Sequence, residues 1–234
     1  MDMDIEAIVR KAIPDENDYF FGFANLENLL DGRFREYGYG ITIEQRLDNQ
    51  VIDGSENGPT RAYYNHRYDV NSHLLALVNK IAADLRGNNI NSLAIPPTTT
   101  DLYRADDYPQ TLRQKFSHKM VGTRAGLGWI GKTDLFISER FGPRVRLASV
   151  LTSQPLPLSR KPVEESRCGD CRICVDACPA QAANGKLWNT SVDRDEFYDA
   201  FRCREKTREL ALRLDDISVF VCGACVRVCP IGQK

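Results

Sequence analysis

The first 167 residues of this chain contain no cysteine, and all eight cysteines follow from residue 168 onward. The sequence has no run of roughly 18 consecutive apolar residues, the length needed to span a bilayer. It also has no twin-arginine pair and no export signal near its N-terminus. These absences predict a cytoplasmic protein that does not enter a membrane. Structural disulfides do not persist in the cytoplasm, so eight cysteines in one such chain indicate metal binding.

An excess of charge of either sign is also missing. The chain has 31 basic and 32 acidic residues, which are interspersed, and its formal net charge is -1. A balanced chain produces no long-range positive field of the kind that attracts nucleic acid or anionic lipid. Composition therefore excludes a broadly basic nucleic-acid-binding surface, although a local basic patch is still possible.

The distribution of the cysteines divides the chain in two. The stretch SQPLPLSRKPVEES before the first cysteine has three prolines and reads as a connection that leaves a compact domain. We predict one domain over residues 1–154 and a cysteine-rich module over residues 155–234.

The first domain has a mixed helix and strand pattern. Strands are predicted at residues 38–47, 91–96, 133–138 and 145–153, where apolar and β-branched residues dominate. Helices are predicted at the amphipathic N-terminus, from about Asn71 to Arg86, and after Pro109. The expected fold class is α+β, an α/β sandwich followed by a small module.

The cysteines form two related motifs. The first has the pattern C-x2-C-x2-C-x3-C-P, and the second repeats its last three cysteines, with Cys203 upstream replacing the missing one. This run is typical of bacterial ferredoxins, which bind 4Fe-4S clusters. A zinc ribbon or disulfides are the alternatives, but zinc sites need only two pairs of ligands. The motifs predict two 4Fe-4S clusters.

In two-cluster ferredoxins the fourth cysteine of the run binds the other cluster. By analogy, we predict that each motif contributes three cysteines to one cluster and one to the other. Cluster one is then bound by Cys168, Cys171, Cys174 and Cys229, and cluster two by Cys178, Cys203, Cys222 and Cys225.

A glycine-rich segment, AGLGWIGK, lies between a predicted helix and a predicted strand at residues 125–132. Glycines allow a backbone to approach a flat or anionic ligand closely. The same glycines are also common in tight connections for steric reasons alone. From the sequence both interpretations stay open.

The ordered combination HKMVGTRAGLGWIGKTDLFIS, FGPRVRLASVLTSQPLPL and the eight cysteines resembles the epoxyqueuosine reductase and reductive dehalogenase superfamily. The resemblance covers residues 60–230. It implies a cobalamin-binding domain of nitroreductase-like fold and a ferredoxin-like module that supplies electrons to the cobalt. It also implies that a set of residues lies beside the corrin, namely Gly126, Leu127, Gly128, Trp129, Ile130, Gly131 and Lys132, with Arg144 and Arg146 as weaker candidates.

The sequence departs from this family at two points. Epoxyqueuosine reductases that resemble this chain have an acidic residue that is thought to donate a proton, and its position falls near Leu112 here. His118-Lys119 stands where those reductases have an E-R pair. The sequence given also ends four residues after its last proline, without the helical-repeat extension of such reductases. We therefore expect a small molecule instead of epoxyqueuosine as substrate, and tRNA is an unexpected partner.

Reductive chemistry at cobalt needs a proton donor as well as electrons. His118 lies just before the glycine-rich segment and could donate near neutral pH, although a histidine there could also satisfy a helix end. The predicted function is a cobalamin-dependent reductase that receives electrons from a low-potential donor such as ferredoxin or flavodoxin. The alternative is an electron-transfer or reactivating protein that serves a partner, such as a corrinoid protein, without turning over substrate. A flavin or nicotinamide enzyme is less favoured, because no G-x-G-x-x-G run follows a predicted strand.

Overall fold

The computed structural model describes residues 4–30, 32–56, 58–97, 105–214 and 221–233. The first part of the chain contains two antiparallel sheets and several helices. The larger sheet has the strand order β1-β2-β6-β3, and the smaller one pairs β4 with β5. The strands are β1 Tyr19–Asn25, β2 Tyr39–Arg46, β3 Ser92–Ile95, β4 Gly128–Ile130, β5 Phe136–Ser138 and β6 Val145–Thr152. The helices are α1 Ile5–Ala12, α2 Asn49–Asp53, α3 Arg61–Gly87, α4 Tyr108–Thr111, α5 His118–Arg124, α6 Ile173–Asp176, α7 Ala200–Ala211 and α8 Ala224–Val228.

The long helix α3 covers one face of the larger sheet. Its start is capped by the Thr60 side chain, which accepts a hydrogen bond from the Tyr63 backbone N–H. Apolar residues at helical spacing then face the sheet and are almost completely buried. The first core consists of these side chains, the inward side chains of β2 and β6, and α1; its helical members include Val70, Leu74, Val78, Ile81 and Leu85.

A second core lies on the opposite face of the larger sheet. Helix α5 contacts β1, β2 and β6 on this side. Phe34 and Phe116 pack edge to face there, with ring centroids 5.5 Å apart. Leu127 and Phe136 belong to the same core, so the glycine-rich segment between them is part of the packed interior.

The structure corrects three of the predicted elements. Helix α3 begins at Arg61 and not near Asn71, because Thr60 caps it and Tyr63 is already buried against the core. Strand β1 was not predicted, although its sequence YFFGFAN is rich in aromatic residues. Part of the glycine-rich segment forms strand β4 and is not a loop.

The cysteine-rich part packs against both cores. Phe197, before α7, is 1% exposed and belongs to the second core. Val226 in α8 belongs to the first core. Helices α6 and α8, which follow the first cysteines of the two motifs, contact each other, and α8 also contacts α2. The two parts of the chain therefore share their hydrophobic interior.

The connection between the two parts is anchored at two points. Leu156 is buried in the first core, and Val163 packs beside Trp129 and Ile137. The Val163 backbone N–H also donates to the Thr123 carbonyl at 2.8 Å. The division of the chain at residue 154 stays a prediction.

None of the helices in the described ranges is long and apolar enough to cross a membrane.

Candidate metal centre

Five cysteines of the two motifs surround one cavity of about 80 Å³. The cavity wall also includes Trp129, Gly131, Lys132, Thr133 and Ile137, so the glycine-rich segment forms one side of it. All eight cysteines have free thiols. The cysteines on its wall are Cys168, Cys171, Cys174, Cys225 and Cys229. This enclosure, lined by thiols and apolar side chains, suits a metal-sulfur cluster.

The thiols fall into two groups according to which neighbouring thiols raise the pKa of each. The pKa of Cys229 is raised to about 11, first by burial and then by the neighbouring thiols of Cys174, Cys168 and Cys171. Burial also raises the pKa of Cys203, with added contributions from Cys178 and Cys222. These two neighbourhoods match the predicted cross-wired ligand sets. Both observations support the pairing, which stays a prediction.

One thiol lies between the two groups. Burial raises the pKa of Cys225 to about 12, and Cys203, Cys222 and Cys174 all contribute to the rise. Cys225 is thus near thiols of both predicted sets. The ligand of a cluster is the thiolate, so thiols with such high pKa values must lose protons when metal binds.

The cysteines are not arranged around a single ion. Among the residues that the structure describes, no group of three or more His, Cys, Asp or Glu side chains could hold one metal ion. Four thiolates around a 4Fe-4S cube hold a larger object than one ion and need a wider arrangement. The thiol-lined cavity fits the cube better than it fits zinc.

The glycine-rich segment touches the first cysteine motif directly. The indole Nε1 of Trp129 donates to the Cys168 Sγ at 3.4 Å. Lys132, only 4% exposed, donates from its Nζ to the Gly169 carbonyl at 2.7 Å and to the Cys171 carbonyl at 2.9 Å. A buried ammonium needs such acceptors, because desolvation is otherwise costly. These contacts fix the first motif against β4.

Two further polar side chains beside the thiols were missed from the sequence. The Thr133 hydroxyl lies beside Cys174 and Cys225 and lowers the pKa of both thiols, against the larger effect of burial. The Tyr198 hydroxyl lies beside Cys203, and the pKa of Tyr198 is raised by burial and then by Cys203. Thr133 could have been found from the sequence, because it directly follows Lys132 of the glycine-rich segment. Nothing in the sequence distinguishes Tyr198 from other tyrosines.

The structure shows that close packing of the backbone, and not approach of a ligand, requires glycine in this segment. A Cβ at Gly128 would collide with the Ile137 carbonyl of the paired strand β5. Gly126 has φ +72°, and a Cβ there would come within 2.5 Å of the Lys161 carbonyl. Protein backbone, and not a ligand, therefore requires both glycines.

Every predicted corrin-binding residue of this segment is buried. Leu127 and Ile130 belong to the second core, whereas Trp129, Gly131 and Lys132 face the thiol-lined cavity. The segment does not present a bare backbone surface on which a macrocycle could lie. These residues fit a role beside a cluster, and their contact with cobalamin stays a prediction that the packing does not favour.

The structure does not support His118 as a proton donor. Its Nε2 lies 2.9 Å from the Pro96 carbonyl, and its Nδ1 lies 2.9 Å from the Ser149 hydroxyl. Burial lowers the pKa of His118 to about 4, so the ring is neutral at pH 7. Both ring nitrogens are occupied by structural partners. The alternative, a histidine that satisfies its surroundings within the fold, describes it better.

The two predicted arginines are also held by protein groups. Arg144 is 1% exposed. Its guanidinium donates to the Asn49 side chain, to the Asp53 carboxylate at 2.6 Å and to the Arg227 carbonyl at 3.0 Å. It connects α2 with α8 and is not supported as a cofactor ligand. Arg146 donates from its Nε to the Asn71 side chain at 2.9 Å.

Comparison with known proteins agrees with this geometry. The family profile of the 4Fe-4S double cluster binding domain matches residues 167–232, which include all eight cysteines. The C-terminal part of this chain is a double 4Fe-4S module.

Related sequences extend the comparison into the first domain. An epoxyqueuosine reductase of Bacillus cereus is 41% identical over 118 residues, which cover 50% of this chain and 30% of that protein. An epoxyqueuosine reductase of Pseudomonas aeruginosa is 32% identical over 120 residues, 48% of this chain and 30% of that protein. The aligned stretches thus span about a third of the length of these relatives.

Solved structures share the fold over nearly the whole chain. A reductive dehalogenase, whose structure suggests a mechanism for B12-dependent dehalogenation, superposes with a TM-score of 0.69 at 17% identity over 98% of this chain and 31% of that one. Epoxyqueuosine reductase from Streptococcus thermophilus superposes with a TM-score of 0.62 at 17% identity, covering 99% and 67%. The superfamily resemblance and the predicted fold class are confirmed.

One comparison runs against an earlier expectation. An epoxyqueuosine reductase solved with an epoxyqueuosine-modified tRNA-Tyr stem loop superposes with a TM-score of 0.58 at 17% identity, over 97% of this chain and 65% of that one. Proteins of this fold therefore include one that binds a tRNA stem loop, and the expectation that tRNA is an unlikely partner loses its support. The neutral net charge was weak evidence, because local contacts can bind a small part of an RNA without a global positive field.

The packing of β4 predicts the effect of adding one methyl group. Gly128→Ala should lower the free energy of unfolding by about 1–3 kcal/mol, because the new Cβ must displace the Ile137 carbonyl. Gly87→Ala is the control, since its Cβ would meet no atom within 4 Å. We expect that change to be neutral or slightly stabilising. Thermal unfolding of both variants measures the difference, and equal melting temperatures would contradict this account of Gly128.

The two thiol groups predict the outcome of paired cysteine replacements. The double variant Cys168→Ala/Cys229→Ala should lose only cluster one and retain about four iron atoms per chain. Cys203→Ala/Cys229→Ala should damage both clusters and retain almost no iron. Iron analysis after anaerobic reconstitution distinguishes them. Retention of about four irons by the second variant, with loss of both clusters by the first, would reverse our assignment of Cys229.

Proposed function

We propose that this protein is an epoxyqueuosine reductase-like oxidoreductase that works in the cytoplasm and passes single electrons from its two 4Fe-4S clusters to a cobalamin. The observation that carries the proposal is the direct contact between the cluster module and the first domain. Trp129 and Lys132 join the first cysteine motif to β4, and the two parts share their cores. A freely moving electron carrier does not need such a fixed domain beside its clusters.

Cobalamin enters the proposal through the relatives. One structural neighbour is described as performing B12-dependent dehalogenation, and this chain shares its fold. When bound, cobalamin would supply a cobalt centre that accepts single electrons. The contribution of this chain's own residues is to hold the clusters next to the first domain, where the buried side chains of Trp129 and Ile137 line the cavity together with the thiols.

We further propose epoxyqueuosine in tRNA as the substrate, replacing the small molecule first expected. Support comes from the relatives at 41% and 32% identity, which are epoxyqueuosine reductases. The sequence similarity lies across 118–120 residues of this chain, so it does not extend to whole enzymes.

A second candidate is an electron-transfer or reactivating protein that serves a corrinoid partner. The observation in its favour is the lack of a suitable proton donor among the residues first considered. His118 is neutral and held at both nitrogens, and Leu112 stands where an acid was expected. A protein that only delivers electrons has no need of such a donor.

Metal content and cobalamin binding test the redox proposal. Anaerobically reconstituted protein should contain about eight iron atoms per chain. Titration with cobalamin should then change the visible spectrum of the corrin and raise the melting temperature, because a ligand that binds only the folded state stabilises it. Full iron content without cobalamin binding at any attainable concentration would favour the electron-transfer candidate. A preparation with only zinc would contradict both.

The substrate proposal is tested with two RNAs that differ in one modification. An epoxyqueuosine-modified tRNA-Tyr stem loop should bind more tightly than the unmodified stem loop and should be converted to the reduced base with reduced ferredoxin or flavodoxin. The difference should survive added salt, because contacts to a base do not depend on counterion release. Equal binding of the two RNAs, falling steeply with salt, would show only the affinity of any polyanion and would contradict this substrate.

A further inference from the structure

Trp129 places a hydrogen-bond donor on one cysteine of the first motif. Its ring is 7% exposed and packs with Ile137 and Val163. The indole Nε1 donates to the Cys168 Sγ at 3.4 Å. This distance is within the usual range for a hydrogen bond to sulfur, and the indole N–H can only donate.

The surroundings of Trp129 hold this donor in place. Strand β4 pairs Trp129 with Ile137 of β5, and the Arg167 guanidinium lies 5.7 Å from the centre of the indole ring. On the other side, Lys132 holds the Gly169 and Cys171 carbonyls. Donor and acceptor are therefore each fixed by separate contacts, so their alignment does not depend on a flexible side chain.

A fixed donor at a cluster thiolate has a predictable electrostatic effect. Reduction of a 4Fe-4S cluster adds one negative charge, part of which resides on the sulfur ligands. An N–H group that points at such a sulfur stabilises the reduced form more than the oxidised form. Hydrogen bonds to the sulfurs are among the factors that set cluster potentials.

From these contacts we propose that Trp129 is a positioning residue that raises the reduction potential of the cluster bound by Cys168 and leaves the other cluster unchanged. The cluster thus becomes easier to reduce because of a side chain from the first domain. The glycines around Trp129 allow β4 to approach β5 closely enough to place the indole at this point. The inference rests on the iron-sulfur part of the proposed function and does not require cobalamin or tRNA.

The second motif offers a matched comparison. The Tyr198 hydroxyl contacts Cys203, which belongs to the other group of thiols. Removal of that hydroxyl should affect the cluster that Trp129 does not reach. Trp188 is the other tryptophan of the chain and packs at the edge of the second core, so it controls for the loss of an indole as such.

The test is a reductive titration of the full-length, anaerobically reconstituted protein, followed by electron paramagnetic resonance. Trp129→Phe keeps an aromatic ring and removes the N–H. At a fixed potential, the ratio of reduced to oxidised cluster one should fall by about tenfold, which corresponds to a midpoint shift of about 59 mV to lower potential for a one-electron couple. Tyr198→Phe should lower the midpoint of the other cluster, and Trp188→Phe should leave both unchanged.

Iron content separates the possible failures. A variant with about eight irons and two unshifted midpoints would overturn the inference alone. A shift of the same midpoint in Trp129→Phe and Tyr198→Phe would also overturn it, because the two donors would then not act on separate clusters. A wild-type protein without its full iron content would contradict the proposed function instead.

A second measurement covers the case in which Trp129→Phe does not assemble its clusters. Wild-type protein labelled with 15N at the indole nitrogens can be reduced and studied by pulsed electron paramagnetic resonance. We expect a resolved hyperfine coupling between one indole nitrogen and a reduced cluster, since Trp129 is hydrogen-bonded to a cluster ligand. The Trp188→Phe variant should retain the coupling. Its absence from the labelled wild-type protein would overturn the inference.

Discussion

The hydrogen bonds of the Lys132 ammonium fix the position of the first cysteine motif relative to the first domain. It is buried, and its partners are two backbone carbonyls of the first cysteine motif. A buried ammonium without acceptors is energetically unfavourable, so the glycine-rich segment and the cysteine motif stabilise each other. A cluster module bound in this way has a defined position relative to the sheet, as a fixed route for electrons requires.

The cysteine chemistry could be predicted from the sequence because it depends on local spacing. Three cysteines separated by two residues each can bind one cube only on a short, turning backbone, and a second copy of the motif indicates a second cube. The grouping of the thiols in the structure agrees with that reasoning. The helix from Arg61 to Gly87 was predicted only in its second half, because its first half is polar and its cap at Thr60 was not recognised.

The role of the glycines could not be derived in the same way. Whether a glycine is required by a ligand or by the fold depends on what lies next to it, and its neighbours here come from distant positions. The carbonyls of Ile137 and Lys161 take the space that a ligand was expected to fill at Gly128 and Gly126. The surroundings of His118 could not be predicted for a related reason, since its partners Pro96 and Ser149 are more than 20 residues away in sequence.

Helix α8 connects the binding of a cluster with the packing of the first core. Cys225 belongs to the thiol groups, and the adjacent Val226 is buried in the first core. One turn of helix thus takes part in two structures that form by different chemistry. Binding of a cluster by Cys225 therefore constrains a helix that also packs in the first core. Oxidative loss of the second cluster should accordingly loosen the sheet domain as well, and the damaged protein should become a substrate for cellular proteases.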